Sequence, residues 1–236
     1  MRKISLFFGA LFFITGIYGL TTGNVSSGIF GMILGALMIY WGKGKKKTNV
    51  VIYQKPQPVE GIPDFVAFDF ETTGLDAESC DIIQAGAVRY INGKEVESFN
   101  MLANPERHIS KKITEITGLT DDDVKDAKPS AIVAGELIEF IDGMPLVAHN
   151  APFDLKFLKK YAPGYQPRVY DTLKMSRDEM PNGSHRLGDL MKIYGIEGNW
   201  HDALSDCRAA AELFLILYKP DTEPYRKGRK TNNSKW

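Results

Sequence analysis

Cysteine and histidine are scarce in this sequence, with two and four respectively among 236 residues. The two thiols, Cys80 and Cys207, exclude a disulfide scaffold and suit a reducing compartment. Neither sits in a spacing that makes a thiolate metal site. No internal repeat is seen, and net charge is absent, since 29 Lys and Arg balance 29 Asp and Glu. That balance is not local. Residues 62–218 hold 16 basic against 26 acidic side chains, a net −10, and basic residues collect at both ends. So acidic a domain is a poor non-specific binder of nucleic acid. A polyanionic substrate would require recruited positive charge, and metal ions are the obvious candidates.

Long uncharged runs occur only at the start. Residues 4–20, ISLFFGALFFITGIYGL, and residues 25–41, VSSGIFGMILGALMIYW, are 17 residues each and separated by TTGN. As helices they would be about 25 Å long, near the short end of the spanning range. The pattern predicts a two-helix transmembrane hairpin over residues 1–41. Arg2 and Lys3 precede it and KGKKK follows it, which places both flanks and the remainder in the cytoplasm. A basic start before an apolar run is also the pattern of a cleaved signal peptide. In that reading the second span and its lysines still leave the rest cytoplasmic.

Residues 42–61 form a basic, proline-containing linker, and residues 219–236 a basic tail of disordered composition. Between them, residues 62–218 are long enough to bury a core. FVAFDFET, DIIQAGAVRY and EVESFNMLA read as an antiparallel meander. Helical segments follow near KKITEITG and over PSAIVAGELIEFI, the latter with proline at an early helical position. PLVAHN reads as a short buried strand, FDLKFLKKY as an amphipathic helix and RVYDTL as a last strand. DALSDCRAAAELFLILYK is a long helix ending at Pro220. The expected fold is α/β, a mixed β-sheet flanked by helices.

Three features carry chemistry. In VAFDFETTGL, Asp69 and Glu71 fall on one face of a strand, where each resists the other's ionisation unless a cation is shared. A hard divalent ion resolves that conflict; a solvated strand end is the plainer alternative. VAHNAPFD ends in Asp154, which by itself reads as a first-turn helix acid. HDALSD carries His201 and Asp206, which singly read as a capping histidine and a helix acid. Asp202 is the expected N-cap of that helix, and Asp171 of the helix after YDTL. His149 is expected to order its motif, and His108 and His185 to be loop or helix-start residues.

Together, in order and spacing, FDFETTGL, HNAPFD and HDALSD resemble the three motifs of the DEDD exonuclease superfamily, in its histidine-containing branch. ITEITGLTDDDV, residues 113–124, is similar to the proofreading subunits and exonuclease domains of bacterial replicative DNA polymerases. The resemblance covers about residues 63–218. It implies a ribonuclease H-like fold whose central strand carries Asp69 and Glu71. It further implies that Asp69, Glu71, Asp154 and Asp206 hold two Mg²⁺ or Mn²⁺ ions, with Asp69 bridging both and Asp154 acting partly through water. His201 would be the general base, a role an ordinary imidazole suits near neutral pH. The backbone at Thr72 and Thr73 would meet the terminal nucleotide. Leu75 would wedge against bases, and Asn150 and Phe153 would line the pocket. For Leu75 and Phe153, core packing is an equal alternative.

The expectation is a membrane-tethered, metal-dependent 3′–5′ exonuclease acting on single-stranded 3′ ends, DNA favoured over RNA. The partners expected are single-stranded nucleic acid, membrane lipid through the hairpin, and a polymerase or repair partner. The alternative is a catalytically silent nucleic-acid- or protein-binding module at the membrane.

Overall fold

The computed structural model describes residues 61–198 and 202–225, with ten scattered positions between residues 11 and 36. The chain divides into two compact units, Met1–Val50 and Val51–Trp236. In the first, Leu11, Ile14, Ile17, Tyr18, Ile29 and Ile33 are helical and exposed. Among the described residues no helix is long and apolar enough to cross a membrane. Most of the two expected spans, all of the linker through Glu60, and His201 lie outside the described residues.

In the second unit, β1 (Phe65–Thr72), β2 (Ile82–Ile91) and β3 (Lys94–Asn104) form the expected antiparallel meander. Asn92 and Gly93, with φ of 52° and 72°, make the two-residue turn between β2 and β3. That left-handed backbone matches the right-handed twist of a hairpin. There follow α1 (Lys111–Thr117), α2 (Asp121–Val124), β4 (Lys128–Pro129), α3 (Ser130–Ile141), β5 (Leu146–Ala148) and α4 (Ala151–Tyr161). The described chain is completed by β6 (Val169–Asp171), α5 (Thr172–Glu179), α6 (Leu187–Tyr194) and α7 (Ala203–Leu217). The six strands are ordered β4-β3-β2-β1-β5-β6, with β5 and β6 parallel to β1. Strand β1 is therefore central, and the sheet is mixed.

Alternation along β1 explains the layers. Val66, Phe68 and Phe70 face Val133, Leu137 and Ile141 of α3 and Leu155, Phe157 and Leu158 of α4. Phe65 and Ala67 face the other way, toward Cys207, Ala211 and Phe214 of α7. Phe65 stacks on Tyr90 with ring centres 5.0 Å apart and meets the Phe214 edge at 4.8 Å. Burying a phenylalanine of this kind stabilises the fold by about 1.5–3 kcal/mol. On the outer side of α7, Leu213 and Leu217 pack against Leu190 and Tyr194 of α6.

Three details differ from the sequence reading. Pro129 lies just outside α3 as its N-cap, with extended ψ of 147°, and pairs in β4 with Asn104. The strand expected over RVYDTL stops at Asp171, because that carboxylate turns to accept Leu173 N–H at 3.0 Å and caps α5. Past residue 218, Tyr225 donates its N–H to Val169 O and packs against the core, so the described start of the tail adds to the domain.

Candidate active site

The row Phe65, Ala67, Asp69, Glu71 runs along one face of β1 and changes from apolar to acidic toward the end of the strand. Its apolar half lies under the body of α7, and its acidic half meets the start of that helix. Close approach depends on Gly86, which pairs with Asp69 across the β1–β2 ladder. A Cβ there would lie 2.5 Å from Ala203 C and 2.7 Å from Leu204 N, so only glycine lets α7 begin directly on the sheet. Asp202 caps α7 by accepting Ser205 N–H at 3.0 Å, the role expected of it. Gln84, opposite Glu71, fastens this junction from below. Its Nε2 donates to Asp202 Oδ1 at 3.1 Å and to Asn100 Oδ1 at 3.0 Å, and its Oε1 faces Ala203 N.

Held in this way, Asp206 in the first turn of α7 joins the strand pair. One carboxylate oxygen from each of Asp69, Glu71 and Asp206 lies within 4.8 Å of the others. Asp154, in the first turn of α4, lies outside that trio; it is 1% exposed, and its Oδ1 accepts Phe70 N–H at 3.3 Å. Burial, then Asp154, Asp206 and Glu71, push the Asp69 carboxyl well above the usual carboxylate range. Burial, followed by Asp206 and Asp202, pushes Glu71 up to about 7. Burial likewise raises Asp154 well above its ordinary value, against the pull of two backbone N–H groups. Among the described residues, the charges acting on Asp69 and Glu71 are those of other carboxylates.

This donor set fits hard divalent cations. It is all oxygen and partly withdrawn from water, and burial and mutual repulsion disfavour its charged form until positive charge is bound. Cys207 is buried in α7 with its thiol pushed well up by burial and by the nearby acids, so it is no thiolate ligand. His149 is committed elsewhere: its Nε2 meets His185 O and its Nδ1 meets Thr172 Oγ1, each at 2.9 Å. Burial holds its pKa below the usual imidazole value. Neutral, it donates at Nε2 and accepts at Nδ1, and so orders the loop before α4, as its sequence position suggested.

The expected substrate residues are distributed unevenly. Leu75 is 82% exposed, which sets aside the core-packing alternative for it. Phe153 is half-buried, its ring centre 5.3 Å from that of Phe157, and packs against the core. Asn150 has left-handed backbone, φ 73°, and its N–H donates to Asp171 Oδ1 at 3.0 Å. Asp171 thus ties the second motif down as well as capping α5. Thr72 is buried, and its Oγ1 donates to Gly74 O at 2.7 Å. Thr73 N–H is already engaged by Asp81 O at 2.9 Å, and Thr73 Oγ1 accepts Asp81 N–H. Gly86 and Gln84 are the residues the sequence reading missed.

The profile of the exonuclease family (RNase T type) matches residues 66–214. The chain is 36% identical over 182 residues to the DNA polymerase III PolC-type of Streptococcus pneumoniae strain D39, covering 74% of this chain and 12% of that one. It is 40% identical over 162 residues to the corresponding Streptococcus thermophilus protein, strain LMD-9, covering 66% and 11%. The chain therefore spans only a small part of these relatives. Among solved structures, Exonuclease X in complex with 5′ overhanging duplex DNA superposes with TM-score 0.56 and 29% identity, over 65% of this chain and 90% of that one. E. coli Exonuclease I with a dT13 oligonucleotide gives 0.57 at 22% identity, over 66% and 41%, and supports the fold alone. The sheet order and flanking helices are those of a ribonuclease H-like exonuclease fold, and the chain is a nuclease belonging to the exonuclease family.

Proposed function

We propose that the chain is a metal-dependent 3′–5′ exonuclease that removes nucleoside 5′-monophosphates from single-stranded 3′ ends, with DNA preferred over RNA. The observation carrying this reading is that one carboxylate oxygen from each of Asp69, Glu71 and Asp206 lies within 4.8 Å of the others, with buried Asp154 near enough to act on Asp69. Asp69, Glu71 and Asp206 would hold the divalent ions directly, and Asp154 from one step further out. When bound, two Mg²⁺ or Mn²⁺ ions supply stabilisation of the attacking and departing oxygens of an in-line displacement.

The chain's own residues do the rest. Gly86 and Gln84 fix the start of α7, so that Asp206 stays aimed at β1. His201, one residue before the α7 N-cap, takes the proton from the attacking water, as in the histidine branch of the superfamily. Leu75, exposed beyond the β1 turn, meets the base of the terminal nucleotide. Asn150 and Phe153, within the second motif, line the pocket. The preference for DNA is supported by the DNA polymerase relatives and by the DNA-bound neighbours. A polymerase partner is part of the proposal, supported by the similarity to the DNA polymerase III PolC-type proteins.

Membrane attachment through residues 1–41, with the nuclease domain cytoplasmic, is part of the proposal. It is supported by the two uncharged runs, their basic flanks, and the exposed apolar helical positions in the first unit. Cysteines placed at Lys45 and Asn24 should label from opposite sides of the membrane; labelling from one side overturns the hairpin. The activity is tested by digesting matched 5′-labelled DNA and RNA strands with Mg²⁺, Mn²⁺ or EDTA. Stepwise shortening from the 3′ end, faster on DNA and abolished by EDTA, is the expected result. An intact strand in every metal leaves only a binding module.

A further inference from the structure

An acidic domain that cuts nucleic acid must still hold the strand leading to the cut. Residues 62–218 carry a net −10, so most of the surface repels phosphate. Beside Asp206 lies a groove of about 650 Å³ bordered by His149, Asn150, Arg177, His185 and Arg186. Its size is that of an ordinary small-ligand site. What distinguishes it is the state of its arginines. Residues 62–218 contain six arginines. Arg89 pairs with Glu97, Arg107 with Asp81 and Arg208 with Glu95, while Arg168 donates to the Tyr170 hydroxyl. The side chains of Arg177 and Arg186 make no ion pair or hydrogen bond with the described residues, and both line this one groove.

The backbone that carries them is tied to the site. Arg177 stands in the last turn of α5 and Arg186 is the N-cap residue of α6. The loop between those helices is tied inward by Ser176 Oγ and His185 Nδ1 at 3.1 Å. It is tied again by His185 O, which accepts His149 Nε2–H at 2.9 Å, next to the motif that carries Asp154. Two exposed guanidiniums without carboxylate partners among the described residues, carried on backbone tied to the site, offer the charge and forked donors that recognise a phosphodiester backbone without reading bases.

We infer that this groove is the track for the single strand upstream of the scissile bond, with Arg177 and Arg186 each holding a backbone phosphate. The inference rests on the exonuclease reading and adds to it the residues that retain the strand. It also implies tolerance of sequence, since the grip is on phosphate.

The test compares the full chain with Arg177→Ala, Arg186→Ala and the double variant on two substrates. One is a dT oligonucleotide, which has upstream phosphates. The other is the p-nitrophenyl ester of thymidine 5′-monophosphate, which has none. The expected result is a rise in KM for the oligonucleotide of about tenfold per arginine, with turnover of the ester unchanged. The slope of log KM against log salt should fall by about 0.7 per arginine removed. Arg→Lys variants, which keep the charge, should recover part of the loss. A double variant with unchanged KM and salt slope on an active background overturns the track. So does an equal loss on both substrates, which would mean a disturbed active site. A wild-type chain that cleaves neither substrate overturns the exonuclease reading itself.

Discussion

Replacing Glu71 by Gln gives a result opposite to what the loss of an active-site residue usually does to a protein without its cofactor. Glu71 is held at about 7 instead of its ordinary 4.5, first by burial and then by Asp206 and Asp202. Because the folded value is raised, the native state binds more protons than the unfolded chain between those two values. Metal-free stability therefore falls as pH rises from about 4.5 through about 7 and stays low above that window. A displacement of that size corresponds to roughly 3 kcal/mol at pH 8. Glutamine keeps the shape and removes the charge. In EDTA at pH 8 the Glu71→Gln protein should therefore be more stable than wild type by up to that amount, and the two should converge near pH 4. Adding Mg²⁺ should raise wild-type stability strongly and the variant's much less. Urea unfolding followed by circular dichroism, with and without Mg²⁺ across pH 4–8, reads all of this. A variant no more stable than wild type at pH 8 in EDTA would refute the argument that these carboxylates strain the fold.

Gly86→Ala should lower the melting temperature, at a cost of about 1–3 kcal/mol, and should reduce kcat more than tenfold by moving α7 off the sheet. Wild-type values of both would show that the contact yields. Gln84→Leu removes the hydrogen bonds to half-buried Asp202 and exposed Asn100 and should destabilise by about 1–3 kcal/mol for the two, with weaker Mn²⁺ binding; unchanged Mn²⁺ affinity would detach Gln84 from the site. His201→Ala should depress turnover ~10²–10⁴-fold while Mn²⁺ binding stays near wild type. Parallel loss of metal affinity would make it a ligand and not a base. Leu75→Ala should change stability by less than about 0.5 kcal/mol, because the side chain is exposed, yet raise KM for single strands; an unaltered KM removes Leu75 from the substrate contacts.

Much of the site was legible because strand alternation is a strict geometric rule. FVAFDFET puts Asp69 and Glu71 on one face whatever surrounds them, and the structure keeps them there. The capping roles of Asp171 and Asp202 were legible for a similar reason, since local hydrogen bonding decides them. Bringing Asp154 and Asp206 to the same place required the motif resemblance, because no spacing rule links residues so far apart. Gly86 and Gln84 escaped notice inside the apolar run IIQAGAV. A glycine and a buried amide within a strand pattern are the available signals, and they mark close backbone approach and a polar junction. The helix α6 and the two-residue β4 were not resolved as elements, being too short for periodicity to show. Thr73 looked free to meet a nucleotide because the pairing of its N–H with Asp81 O depends on the fold of the intervening loop.

The central claim is that these carboxylates exist together to hold divalent ions. Titrating Mn²⁺ into the wild-type chain and into Asp69→Asn, with a nucleoside 5′-monophosphate present, tests it most directly by counting bound ions through electron paramagnetic resonance. Two ions bound by wild type and neither retained tightly by Asp69→Asn is the predicted outcome. Equal Mn²⁺ binding by the two proteins, or none by wild type, would contradict it.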